Sequence, residues 1–221
     1  MKNLPAIAEK IHQALEARTM VRDRTLSNAR QVTRHSAQAI RAIHREEHDP
    51  AYEQLHLARD LVRRMQEELS KFPELYYTGY TQDAIKEFVE ASVTCALIEN
   101  LPLPQPDELD VDSSTYLNGL AEAVGELRRR CLDILRQGYS NEAERLLSCM
   151  DDIYATLVTM DYPDAVTNGL RRQTDLIRGI VERTRGDMTI SLREEHLEQV
   201  MLTLMNRLDE AKQDHEDNPS L

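Results

Sequence analysis

Apolar residues recur along this chain three and four positions apart, the spacing that lines one side of an α-helix, and no stretch alternates in the manner of a strand. From Leu4 to about Glu47 the pattern runs through Leu4, Ile7, Ala8, Ile11, Ala14 and Leu15, then Val32, Ile40 and Ile43, with no proline or glycine after Pro5. One helix of that length would span roughly 65 Å at 1.5 Å per residue, more than a compact domain of this size needs, so part of it is expected to pack on neighbouring subunits. Ser27-Asn28 is the expected interruption. Asp49-Pro50 opens a second helix from about Ala51 to Lys71, with Leu55, Ala58, Leu61, Val62, Met65 and Leu69 facing inward, and Pro73 ends it. Glu74 to Thr81, with Gly79 and paired tyrosines, reads as a turn into a third helix, Thr81 to Asn100. Leu101 to Ser114 holds three prolines and several acids and reads as an exposed connection.

A fourth helix, Thr115 to Gln137, is capped by Asp112, Ser113 or Ser114 and stops at Gly138; Tyr116, Leu117, Leu120, Val124, Leu127, Cys131, Ile134 and Leu135 cover one side. Ser140 caps a fifth helix to about Met160, Asp161-Tyr162-Pro163 precedes a sixth ending near Arg185-Gly186, and Ser191 caps a seventh with Leu197, Val200, Met201, Leu204 and Leu208 on one face. The expectation is an all-α fold: one seven-helix domain over residues 1–213, with no internal repeat, and a disordered acidic tail over 214–221.

The third helix, TQDAIKEFVEASVTCALIEN, is the most apolar of these runs. Ile85, Phe88, Val89, Val93 and Ala96 share one broad face; Glu87, Glu90 and Thr94 fall opposite, flanked by Leu97, Ile98 and Ala91. So narrow a polar seam between hydrophobes indicates a helix covered on most sides, with its acids turned towards something particular.

Composition supports the helical reading, with only 7 glycines, 2 phenylalanines and no tryptophan in 221 residues. A net charge of −12 disfavours a generic nucleic-acid binder unless basic residues are concentrated locally. Lysine occurs only at positions 2, 10, 71, 86 and 212, so the basic chemistry is mostly that of arginine, the better planar phosphate ligand. Cys95, Cys131 and Cys149 lie far apart within apolar helical patterns, as buried reduced thiols do, which points to a reducing cytoplasm. No signal peptide is apparent and no run of about 18 apolar residues could cross a bilayer.

Phosphate loops, nucleophile elbows, HExxH and Cys/His zinc spacings are absent, which leaves carboxylates. Glu122 and Glu126, at i and i+4 on the fourth helix, could meet Glu87 and Glu90 if the two helices lie side by side. Four converging acids would make an oxygen-rich pocket suited to Mg²⁺ or Mn²⁺, ions that neutralise a scissile phosphate and activate water. Against that stands the ordinary reading of such pairs as a solvated helix face, which applies more to Glu122 and Glu126 than to Glu87 and Glu90. A di-iron bundle would need Glu-x-x-His pairs, and none of these acids has a histidine three residues on.

Arg30, Arg34, Arg41 and Arg45 fall within about 60° on the first helix and form one basic stripe, either a track for a nucleic-acid backbone or partners for acids of a neighbouring helix. His35 and His44 lie nearby but off the stripe. Arg128, Arg129 and Arg130 are a second basic cluster, split by helical geometry over three directions. His12, His56 and His196 read as surface residues.

Four stretches, SNARQVTRHSAQAIRAIHR, YYTGYTQDAIKEFVEA, TYLNGLAEAVGELRRRCLDIL and LIRGIVERTRGDMTIS, resemble translin and translin-associated factor X, and the chain looks like an archaeal member near the factor-X branch. That resemblance implies seven helices, a hollow octameric shell and binding of single-stranded RNA or DNA. For the factor-X branch it implies a metal-dependent endoribonuclease whose catalytic acids match Glu87, Glu90, Glu122 and Glu126. One departure is Glu122, where the nuclease branch typically carries Asp; the extra methylene displaces the carboxylate by roughly an ångström, which would weaken activity or shift it from the geometrically stricter Mg²⁺ towards Mn²⁺.

Three functional expectations follow. The first is a homo-oligomeric, Mg²⁺-dependent endoribonuclease acting on single-stranded RNA or RNA ends, with the four acids as ligands and catalysts, Arg30, Arg34, Arg41 and Arg45 gripping phosphates, and Arg128 to Arg130 assisting. The second is a non-catalytic oligomer that binds single-stranded RNA or DNA. The third is a scaffold that binds no nucleic acid.

Overall fold

In a computed structural model, which describes residues 3–217 and the side chains through residue 209, the chain is helical throughout, with no strand among the described residues. The elements are α1 (Leu4–His44), α2 (His48–Leu69), α3 (Pro73–Tyr76), α4 (Gly79–Ile98), α5 (Pro106–Leu109), α6 (Ser113–Leu135), α7 (Asn141–Val158), α8 (Asp164–Thr167) and α9 (Leu170–Asp217).

The count differs from seven in two ways. Two single-turn helices, α3 and α5, occupy segments expected to be a turn and a connection, and a third, α8, is the first turn of the expected sixth helix, cut off from the rest where Asn168 and Gly169 take positive φ. In the Leu101–Ser114 connection, Gln105 and Glu108 form a capping box around α5, and Leu109 is buried beneath it. The expected sixth and seventh helices are one, so that Gly186 and Ser191 are interior positions of α9 rather than a stop and a cap. A mid-helix glycine costs about 1 kcal/mol. Here Ile177, Val181, Thr184 and Met188 carry a buried seam at helical spacing straight past Gly186, and that packing outweighs the penalty. Likewise α1 continues through Ser27-Asn28, because Val21, Thr25, Ala29, Val32, Ser36, Ala39, Ile40 and Ile43 keep an unbroken buried stripe. Helix α9 runs to Asp217, into the stretch from 214 expected as an unstructured tail; residues 218–221 lie outside the described residues. Ser140 caps α7 as expected, accepting a hydrogen bond from the Glu142 amide.

Helix α4 is the centre of the packing. It lies between α1 and α6; α2 packs along α1 and also touches α4, and α7 and α9 pack on α6 and on each other. Ile85, Phe88, Val89 and Val93 are fully buried, and Ala91, Cys95 and Leu97 complete a helix covered almost all round. The α4–α6 approach is made at Gly119, where an added Cβ would stand 2.7 Å from Val89 Cβ and Cγ1 and 3.0 Å from the Lys86 carbonyl oxygen. Glycine at this one position lets the two backbones come close enough for carboxylates from both helices to meet.

Both long helices extend beyond the core. Leu4, Ile7, Ile11 and Leu15 of α1, and Ile190, Leu197, Met201, Leu204 and Leu208 of α9, are exposed although they repeat at helical spacing. Cys95 and Cys131 are buried, burial pushing each thiol up to about 12, and Cys149 is half-buried; all three are free. Among the described residues no helix is long and apolar enough to cross a membrane.

Candidate carboxylate site and arginine stripe

Glu87 and Glu90 stand one turn apart on α4 and face α6 across the Gly119 contact; Glu122, one turn beyond Gly119, faces back. Carboxylate oxygens of Glu87, Glu90 and Glu122 lie within 4.8 Å of one another, and all three residues are half-buried. Among the described residues neither Glu87 nor Glu90 makes a hydrogen bond or ion pair. Their ionisation reflects that. Burial, with Glu122, Glu87 and Glu126 adding like charge, pushes Glu90 up to about 8. Burial and Glu122 raise Glu87 as well, Lys86 opposing them.

Glu122 is engaged from two further directions. Lys86 Nζ, on α4, donates to Glu122 Oε1 at 2.7 Å, and Gln173 Nε2, on α9, reaches the same oxygen at 3.3 Å. Thr94, on the same seam of α4, is fully buried and its hydroxyl has no partner.

Glu126, expected as the fourth member, has different company. It sits one turn further along α6, outside the group of three, and its Oε2 lies 2.6 Å from His44 Nε2. An ionised carboxylate only accepts, so the ring proton is on Nε2. The His44 side chain is 3% exposed, and its Nδ1 is buried without a partner. Arg129 reaches Glu126 at 3.4 Å. The hydrogen bond from His44, helped by the charge of Arg129, holds the Glu126 carboxyl below the usual glutamate range despite its burial.

His44, Lys86 and Gln173 are the members that sequence reasoning did not assign to the site. Lys86 carried a local signal, standing beside Glu87 and one helical turn before Glu90. His44 and Gln173 reach the acids from helices remote in sequence, at separations of 82 and 51 residues, and no pattern in the chain points to them.

Of the basic residues, Arg30, Arg34 and Arg41 are exposed along α1 and Arg45 at its end, and none pairs with an acid among the described residues. Arg128 turns instead to α9, donating to Thr184 and pairing with Asp187 at 2.9 Å. Arg130 pairs with Glu46 at 2.7 Å and donates to the His44 carbonyl, tying the end of α1 to α6. Arg129 is half-exposed beside Glu126.

Fold and site together define an all-helical protein with a half-buried group of glutamates between its two central helices and a line of exposed arginines along α1 and at its end. No family model matches the chain. It is 34% identical over 190 residues to the uncharacterized protein MJ0175 of Methanocaldococcus jannaschii, covering 83% of this chain and 84% of that protein. Among solved structures it is similar to AfC3PO in a duplex RNA complex (33% identity, TM-score 0.79) and to AfC3PO in a second crystal structure (32%, 0.78), in each case over 85% of this chain and 97% of the other. Apo-NeC3PO, at 23% identity and TM-score 0.75 over 86% of this chain and 98% of its own, shares the fold. The chain belongs to the translin family.

Proposed function

We propose that this protein is a metal-dependent endoribonuclease that cleaves single-stranded RNA, or RNA ends, within a homo-oligomeric shell, an octamer being the expected assembly. The observation that carries the reading is the convergence of Glu87, Glu90 and Glu122 from two helices to within 4.8 Å, with no cation of their own for Glu87 and Glu90. Three half-buried carboxylates, one of them pushed to about 8 by the others and by burial, are a donor set in want of positive charge, and hard oxygen donors suit Mg²⁺ or Mn²⁺. Glu87, Glu90 and Glu122 would hold the ion. When bound, it would supply charge to offset that developing on a scissile phosphate and lower the pKa of a water. Glu126, kept ionised and oriented by His44, stands beside the three as an acceptor for a proton or a further ligand.

RNA binding is supported by the AfC3PO–duplex RNA structure and by four exposed arginines with no acid partner, the groups that phosphates recruit. Exposed apolar stripes on the overhanging ends of α1 and α9 support association between copies, since such faces are normally covered. The second reading, a non-catalytic single-stranded RNA or DNA-binding oligomer, is favoured by one observation: Lys86 already satisfies Glu122 without a metal.

The test is cleavage of end-labelled single-stranded and duplex RNA in Mg²⁺, Mn²⁺ and EDTA, by the natural chain and by Glu126→Ala, with binding followed as salt is raised. Metal-dependent cleavage, lost in Glu126→Ala while binding persists, is the expected result. Binding with a salt slope and no cleavage in either metal would leave the second reading, and no binding at low salt would remove both.

A further inference from the structure

Lys86 is the one cation that ion-pairs with the group formed by Glu87, Glu90 and Glu122 among the described residues. Its Nζ lies 2.7 Å from Glu122 Oε1 and 3.9 Å from Asp83 Oδ1, and its side chain is 22% exposed, so it enters the acid group from the rim with a path back to solvent. The carboxylate it holds is one of the three that offer oxygens within 4.8 Å of one another. Lysine suits such a temporary post. Its charge is compact, it sits on a flexible four-carbon stem, and it lacks the planar fork that would lock onto a carboxylate through two bonds.

We infer that Lys86 is the resident counter-ion of the metal-free site, holding Glu122 in place of a divalent cation and giving up that carboxylate when the cation enters. The inference rests on the metal-site reading proposed above. One lysine brings one positive charge to three acids, so it offsets the repulsion in part, enough to keep Glu122 turned towards α4 while Glu87 and Glu90 remain unpartnered. A divalent cation brings two charges to the same space and must displace the ammonium to use the Glu122 oxygen. Lys86 and the metal therefore compete, and the lysine sets the metal concentration at which the site fills. A plain staple between α4 and α6 would act in the opposite sense: removing it would loosen the helices and weaken metal binding. The two roles thus differ in sign.

The experiment is calorimetric titration with MnCl2 of the 221-residue chain, its variants Lys86→Met and Lys86→Gln and the double variant Glu87→Gln/Glu90→Gln. Removing a partly buried charged hydrogen bond from the competing state should tighten Mn²⁺ binding about tenfold in Lys86→Met, which keeps the stem, and in Lys86→Gln, which keeps a polar head. The melting temperature in EDTA should fall in both and be restored by Mn²⁺. Unchanged or weaker Mn²⁺ binding in both lysine variants, alongside binding by the natural chain that the double variant loses, overturns the role of Lys86 and leaves the metal site standing. Binding that the double variant retains unchanged, or no binding by any of the four proteins, overturns the metal site and this inference together.

Discussion

Two neighbouring parts of one site have opposite electrostatics. Glu87, Glu90 and Glu122 crowd together with a single lysine between them, and burial raises Glu87 and Glu90, Glu90 to about 8. One turn along α6, Glu126 is also half-buried, yet His44 and Arg129 hold it low. Burial is common to both, so the difference lies in the partners. The three acids converge without enough positive charge of their own, the arrangement expected where a cation from outside completes the structure. Glu126 is already complete, and its charge is held in readiness beside them.

Removing the partner on the finished side should have the largest effect. In His44→Ala, Glu126 loses its hydrogen bond and its orientation, and metal-dependent cleavage is expected to fall 10- to 100-fold, the usual range for residues that orient a site from behind. His44→Asn or His44→Gln should recover part of that if a donor at this position is what matters; rate measurements at saturating RNA and metal would show it. A uniform loss in all three variants would instead mean that the imidazole itself takes part.

Prying the two helices apart tests the crowded side. Gly119→Ala places a Cβ 2.7 Å from Val89, whose own Cβ is fixed to the α4 backbone, so the helices must separate. Overpacking of this kind costs about 1–3 kcal/mol. The melting temperature should drop, and Mn²⁺ affinity should drop with it because the acids no longer converge. Stability lost with affinity unchanged would detach the helix contact from the site.

The smallest effect is the one that separates the two sides most cleanly, through pH. Between the ordinary glutamate value of 4.5 and about 8, folded Glu90 holds a proton that the unfolded chain releases, so its contribution to the stability of the metal-free protein declines as pH rises through that window. For Glu126 the sign reverses. Its folded value lies below 4.5, so it stabilises the fold above that pH, and the contribution disappears as pH falls through the lower value. Melting curves in EDTA, referenced to Glu90→Gln and Glu126→Gln, should show opposite pH slopes. Metal binding at the proposed site would release the Glu90 proton, so Mn²⁺ affinity should climb towards pH 8 and level off above it.

The helical fold was legible in the sequence because the burial pattern of each long helix is written in its own residues: every apolar position named on the face from Ile85 to Ala96 is buried. Helix ends were less legible where packing overrides local signals, as when the seam of α9 passes Gly186 without a break. For the site, Glu87 and Glu90 stand out because hydrophobes border their seam, whereas Glu122 and Glu126 lie on an ordinary polar arc and come into question through their i, i+4 spacing on a helix that could lie beside the third, which the family resemblance reinforces. Their actual separation into a group of three and a histidine-bound fourth depends on where His44 arrives from α1, and no spacing within α6 encodes that. Arg30, Arg34, Arg41 and Arg45 are each exposed, whereas Arg128, from the second cluster, is occupied by Asp187.

We propose that the group of three acids serves to hold a divalent cation. The most direct measurement is anomalous diffraction from crystals of this chain grown with Mn²⁺ at a pH above 8, where Glu90 is ionised. The expected result is an anomalous peak bound by Glu87, Glu90 and Glu122, with Lys86 withdrawn from Glu122. Crystals saturated with Mn²⁺ that show no peak there, and Lys86 still on Glu122, would contradict it.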